Sequence, residues 1–106
     1  MLSKISFCGL SHLGLVYSSV YSQFSKEVVG FDFDKNLIEN LKKNQININE
    51  PGLEKRILAN KRKFKFTSNF KDLEKSNLIF ISTDIATDSN GNSDYSELNK
   101  ICNIIK

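Results

Sequence analysis

Features that would assign a function quickly are scarce in this sequence. It has two cysteines, Cys8 and Cys102, and they form no C-x-x-C pair. Both sit in apolar segments, so free buried thiols in a reducing compartment are expected. His12 is the single histidine and has no cluster of candidate ligands around it. A metal centre is therefore not expected. No apolar run approaches the ~20 residues needed to cross a bilayer. Leu2-Ser3-Lys4 leads straight into a short strand rather than a signal peptide. The expectation is a cytoplasmic protein with no membrane contact. Charge of one sign is also in short supply. A net charge of +3 is too small to imply nucleic acid as a partner.

What is present is an ordinary soluble mixture, 40% hydrophobic and 25% charged over 106 residues. That length suits one small domain or part of a larger one. Lys4 to Cys8 has the pattern of a buried strand ended by Gly9. From His12 to about Phe24 the spacing turns helical, with Val16, Val20 and Phe24 on one face. Glu27 to Asp32 is a second strand, and Asp34 is placed to cap a helix carrying Leu37, Ile38 and Leu41. A polar loop, NQININ, leads to Glu50-Pro51-Gly52-Leu53. Pro51 fits the first turn of a short helix with Leu53, Ile57 and Leu58.

Phe64 to Thr67 is a third strand, and Asn69 can cap a short helix with Phe70 and Leu73. Leu78 to Ile81 (LIFI) is apolar throughout, as in a parallel sheet covered on both faces. Asp84 to Ser93 is a polar loop in which Gly91 can take a positive φ. Asp94 with Glu97 resembles a capping box, opening a last helix with Leu98, Ile101, Cys102 and Ile105 inward. Strands alternating with helices predict an α/β fold with a parallel sheet and right-handed crossovers. A complete dinucleotide fold of this type has about six strands. The four strands predicted here suggest a Rossmann-type sheet, helices on both faces, cut short within its last helix.

The first strand runs into Gly9-Leu10-Ser11-His12-Leu13-Gly14 and then a helix. A dinucleotide turn is written G-x-G-x-x-G: the first glycine turns the strand, the second admits the pyrophosphate, the third lets the helix pack closely. The helix N-terminus then offers unpaired N–H groups to phosphate. Gly9 and Gly14 fill the outer places, and Ser11 stands in the middle one. Its Cβ would crowd the phosphate or its hydroxyl would donate to it, and the sequence leaves both open. Asp32 ends the second strand near the ~20-residue spacing expected for the ribose-binding acid. A carboxylate there accepts from ribose hydroxyls and repels a 2′-phosphate, favouring NAD over NADP. The plainer alternative is that Asp32 only ends a strand.

His12, at the start of the first helix, is weighed as a phosphate donor against a side chain that merely covers the cofactor edge. A catalytic base is not expected, because no nucleophile or orienting carboxylate stands beside it. Lys61-Arg62-Lys63 is expected to be a solvated turn, since no aromatic residue or recognition helix accompanies it. Glu50 is expected to be structural.

The segments ISFCGLSHLGLVYSSV, EVVGFDFD, ININEPGL, KFKFTSNF and LIFIST…NGNSDYSEL, in this order, resemble the N-terminal part of the UDP-glucose/GDP-mannose dehydrogenases. The match covers essentially the whole chain, and Glu50-Pro51-Gly52-Leu53 is its most specific element. The resemblance implies an enzyme that oxidises the C6 alcohol of a nucleotide sugar to a carboxylate with NAD, through a catalytic cysteine. It also implies a nucleotide-sugar substrate and a homo-oligomer at full length. By the same resemblance, Gly9, Leu10, Ser11, His12, Leu13 and Gly14 hold the pyrophosphate, Asp32 holds the adenosine ribose, and Thr83 and Asp84 pass along the cofactor.

Three residues depart from the family pattern: Ser11 at the middle glycine, Leu37 where many members carry Lys or Arg, and Ile85-Ala86 where Thr-Pro is common. Thr83 or Thr87 would have to supply the missing threonine. Neither Cys8 nor Cys102 corresponds to the family's catalytic cysteine, so residues 1 to 106 alone are expected to bind cofactor without turnover. The alternative reading is a stand-alone degenerate module that binds a nucleotide or a protein without catalysis.

Overall fold

The computed structural model describes residues 2–46, 48–83, 86–87 and 89–105. Its centre is strand β1 (Leu2–Cys8). Successive residues of a strand face opposite sides of a sheet. Ile5 and Phe7 accordingly join one core cluster and Cys8 joins another. Strand β2 (Ser25–Phe31) lies parallel to β1, with Ile5 opposite Val28 and Cys8 opposite Phe31. Strand β3 (Phe64–Thr67) pairs with the far side of β2, and β4 (Leu78–Ile81) pairs with the other side of β1. The order is β3-β2-β1-β4, all parallel.

Helices cover both faces, as the strand–helix alternation predicted. Helices α1 (His12–Tyr21), α2 (Lys35–Lys42) and α3 (Leu53–Ala59) send Leu15, Ile38, Leu41, Leu53 and Ile57 into the cluster that holds Ile5, Phe7 and Val28. On the opposite face Ile101 of α4 (Ser96–Ile105) packs with Leu73 against Cys8, Val29 and Phe31. Asp34 caps α2 as expected, its Oδ1 accepting from the N–H groups of Asn36 and Leu37 at 3.0 and 3.1 Å. Asn69 caps the segment Phe70–Leu73, which is a 3₁₀ turn rather than an α-helix.

Several expectations are corrected. Helix α1 stops at Tyr21, and β2 begins at Ser25. The N–H groups of Gln23 and Phe24 turn back to the carbonyls of Val20 and Tyr21, closing the end of the helix tightly. Val16, Val20 and Phe24 do share a face, but a partly open one; the fully buried residues are the small Gly14, Ser18, Ser19 and Ser22 with Leu15. Ser18, Ser19 and Ser22 satisfy their hydroxyls on carbonyls three residues back, so small polar residues can pack without cost against the sheet. Phe24 is 60% exposed and, with Val16, Tyr17 and Val20, borders an open apolar groove beside Phe80.

Strand β4 is an edge of the described sheet. Leu78 and Ile81 are 40% and 43% exposed, so the strand is not covered on both faces. Pro51 lies in the turn before α3, whose N-cap is Gly52 at φ 79°. Leu58 is exposed. Within the stretch expected to be a plain loop, β5 (Ala86–Thr87) and β6 (Ser93–Asp94) form a small antiparallel pair, with Gly91 at φ 82°. Asp94 therefore belongs to a strand, and the first bond of α4 runs from Asn99 N–H to the Tyr95 carbonyl. Ile105 is exposed, and Ile104 packs inward in its place. The basic turn is more than solvated. Lys61 Nζ donates to the Leu41 carbonyl near the end of α2, and Lys63 Nζ to the Ser22 carbonyl at the end of α1. Cations at helix C-termini neutralise unpaired carbonyls there.

Candidate functional site

The strand order places a ligand site by itself. Starting from β1 the chain winds outward through β2 and β3, then returns to the other side of β1 as β4. Ligands of open α/β sheets bind at such a reversal, beyond the C-terminal ends of the strands. The segment from Gly9 to Gly14 lies there.

Gly9 takes φ 102°, a conformation that L side chains rarely adopt. A Cβ on it would also stand 2.6 Å from the Thr83 nitrogen and Oγ1. Gly14 is required for a different reason. A Cβ there would fall 1.9 Å from the Gly9 carbonyl oxygen and 2.6 Å from Ser82 Oγ. Helix α1 thus begins in direct contact with the turn that precedes it. The residues after β4 bind the same turn. Ser82 Oγ donates to the Gly9 carbonyl at 2.8 Å, and Thr83 Oγ1 to the Cys8 carbonyl at 3.3 Å. Leu10 is an anchor as well as a backbone donor. Its side chain is buried over Gly30, where an added Cβ would meet Leu10 Cδ1 at 3.0 Å.

Asp32 follows β2 and is drawn to the turn. Its Oδ2 accepts from the Leu10 N–H and its Oδ1 from the Asp34 N–H, both at 2.9 Å. Each carboxylate oxygen retains lone pairs for further donors. Ser11 is the N-cap of α1 but makes no capping bond with its side chain. Its Oγ is buried and has no hydrogen-bond partner. The first N–H groups of any α-helix lack intrahelical acceptors. Here no side chain caps them, and an orphaned hydroxyl stands at the N-cap.

This donor set fits a dinucleotide. Uncapped N–H groups and the positive end of the α1 dipole suit a pyrophosphate. The Asp32 carboxylate suits a ribose diol. Leu13 is exposed at the first turn of the helix. The His12 side chain has a partner of its own: its Nε2 lies 3.2 Å from Glu50 Oε2, with the two side chains 56% and 37% exposed. That contact ties the Glu50-Pro51 loop to the start of α1. Sequence spacing gave no sign of it, because 38 positions separate the pair. Asp84 lies outside the described residues.

No nucleophile emerges beside the turn among the described residues. The Cys8 thiol is buried under the site, and its pKa is pushed up to about 12, chiefly by burial and secondarily by the negative charge of Asp32. A thiol held neutral in this way does not attack a carbonyl. Cys102 is half-buried on α4, which covers the other face of the sheet.

Residues 3–106 match the UDP-glucose/GDP-mannose dehydrogenase family, NAD binding domain. The UDP-glucose 6-dehydrogenase of Rhizobium meliloti is 32% identical in an alignment 101 residues long that covers 92% of this chain and 23% of that protein. The GDP-mannose dehydrogenase of Pseudomonas aeruginosa, solved as a ternary complex, superposes with a TM-score of 0.86 at 28% identity, covering 95% of this chain and 24% of that one. The UDP-N-acetyl-mannosamine dehydrogenase of Staphylococcus aureus gives 0.80 at 26% identity, over 97% of this chain and 25% of its own. The chain thus spans about a quarter of the length of these relatives. With a parallel sheet, a glycine turn at its reversal and a carboxylate bound to that turn, the chain belongs to the UDP-glucose/GDP-mannose dehydrogenase family and carries its NAD-binding domain.

Proposed function

We propose that residues 1 to 106 form the NAD-binding domain of a nucleotide-sugar 6-dehydrogenase that oxidises the C6 alcohol of UDP-glucose, or a close analogue, to the uronate. The observation that carries this reading is the bond from Leu10 N–H to Asp32 Oδ2, which fixes a carboxylate against the phosphate turn. When bound there, NAD+ would supply the hydride acceptor for oxidation of the alcohol carbon. The chain's own residues do the holding. Backbone N–H groups from Ser11 to Gly14 bind the pyrophosphate, with Gly9 and Gly14 setting the shape of the turn. Asp32 accepts from the adenosine ribose hydroxyls. Thr83 borders the turn where Gly9 passes closest, and by the family resemblance Asp84 is a further cofactor-binding residue. The acid at position 32 repels a 2′-phosphate, which supports NAD over NADP.

The catalytic thiol is supplied by another part of the polypeptide, since Cys8 is neutral and buried. The full-length enzyme acts in the cytoplasm as a homo-oligomer, and its uronate product serves polysaccharide biosynthesis. None of the described helices is long and apolar enough to cross a membrane. The test is NADH formation by the protein purified from its native cells, with UDP-glucose, GDP-mannose and UDP-N-acetyl-mannosamine offered in parallel. NADH from UDP-glucose alone supports the assignment. Oxidation of only another sugar moves the substrate within the family. No NADH from any of them favours a binding module without catalysis.

A further inference from the structure

Of the three positions that the dinucleotide pattern gives to glycine, Ser11 occupies the one where the backbone does not demand it. Its φ is −73° and its ψ −166°, an extended conformation open to any residue. Gly9 and Gly14, by contrast, are fixed by a positive φ and by a 1.9 Å approach. Of these three positions, only the middle one is free to carry a side chain without changing the shape of the turn. Crowding at Ser11 is thus a matter of the ligand and not of the fold.

The hydroxyl is the second observation. Serine at an N-cap ordinarily accepts a bond from an N–H of the first turn. Ser11 does not do so, and its Oγ is buried with no other partner. Three other serines packed on the inner side of α1, Ser18, Ser19 and Ser22, all donate to carbonyls. A buried hydroxyl without a partner destabilises the structure that holds it, and such groups in folded proteins call for an explanation. Here the orphan stands at the uncapped, positive end of a ten-residue helix. An anion seated on that end would bring oxygen acceptors to it.

We propose that Ser11 Oγ–H donates a hydrogen bond to a pyrophosphate oxygen of the bound dinucleotide. The serine thereby adds a side-chain donor where a middle glycine supplies only closeness of the backbone. This rests on the reading that the turn holds NAD. A hydrogen bond to a charged oxygen is stronger than one between neutral groups. Its loss should weaken binding by about tenfold or more.

The experiment is a calorimetric titration of NAD+ into the full-length protein and into its Ser11→Ala and Ser11→Gly variants, with adenosine as a second ligand. Adenosine carries the adenine and ribose but no phosphate. The expected result is that both variants lose about tenfold in NAD+ affinity and bind adenosine as the native protein does. Their melting temperatures without ligand should not fall, because the hydroxyl has no partner to lose. Equal or tighter NAD+ binding by either variant overturns the proposal and makes the side chain an obstacle or a bystander. A lower melting temperature with unchanged NAD+ affinity also overturns it, by making the serine a helix cap. Failure of the native protein to bind NAD+ refutes the NAD reading itself and this proposal with it.

Discussion

Asp32 and Leu10, 22 positions apart, meet through a 2.9 Å hydrogen bond from the Leu10 N–H to Asp32 Oδ2. The bond joins the end of β2 to the glycine turn after β1. It lets one carboxylate brace the glycine turn while it keeps lone pairs for further donors, in the proposed reading the ribose hydroxyls. Replacing Asp32 with Ala should therefore act twice. The Leu10 N–H loses its acceptor, costing about 1–3 kcal/mol of stability. NAD+ affinity falls about tenfold or more with the ribose contact. Asp32→Asn keeps an acceptor and removes the charge, so it should narrow the preference for NAD+ over NADP+. Calorimetry with both cofactors and a thermal melt measure the three effects.

Gly14→Ala should be among the most damaging single changes in the chain. The added methyl would sit 1.9 Å from the Gly9 carbonyl oxygen, which already accepts a bond from Ser82 Oγ. Relief requires moving α1 off the turn, at a cost of about 3 kcal/mol or more. Gly91→Ala offers the contrast: nothing lies within 4 Å, and only the φ of 82° is unfavourable. Its cost should be about 1–2 kcal/mol. Denaturant midpoints for the pair would rank steric overlap against backbone strain; the reverse order would show that α1 can shift freely.

Cys8 should be inert in the folded protein. With its pKa near 12, almost no thiolate exists at neutral pH, and the side chain is fully buried. A maleimide or disulfide reagent at about pH 8, near the pKa of a free thiol, should modify Cys8 only in denaturant. Peptide mapping after labelling locates the modified residue. Labelling of native Cys8 would mean that the sheet opens beneath the turn.

Asp72 should make stability fall in acid. Its carboxyl is held below the usual carboxylate range, first by the 2.6 Å bond from Thr67 Oγ1 and then by Lys65 Nζ at 2.9 Å. A folded pKa lower than the unfolded one gives a contribution that is fully present above the unfolded value. It is lost as pH falls through the folded value. The native protein should therefore lose part of its unfolding free energy below about pH 4. Asp72→Asn should be less stable at neutral pH and show a smaller acid slope. Urea unfolding across that range decides the matter, and parallel slopes for the two proteins would contradict it.

Much of the frame was legible because it is local. Hydrophobic runs broken by Gly9, Asp34 and Asn69 gave four strands and their caps, since period and capping chemistry act within a few residues. The glycine turn and the acid at position 32 were legible for the same reason: their spacing is the length of one strand–helix–strand unit. The buried face of α1 was not legible, because apolar spacing marks Val16, Val20 and Phe24, which line a partly open groove. Close packing against the sheet instead selected glycine and serines that bond their own helix. The paired Ala86–Thr87 and Ser93–Asp94 were missed because two-residue strands carry no period.

The sequence by itself thus determined the parallel α/β plan, the family and the residues that could hold a dinucleotide. Only the tertiary structure decided which of them meet. Asp32 reaches Leu10, Ser82 and Thr83 close on the Gly9 turn, His12 turns to Glu50, and Ser11 keeps a buried hydroxyl unpaired. Those pairings depend on distances between segments far apart in the chain, which are fixed by the packing of strands and helices and not by any local pattern.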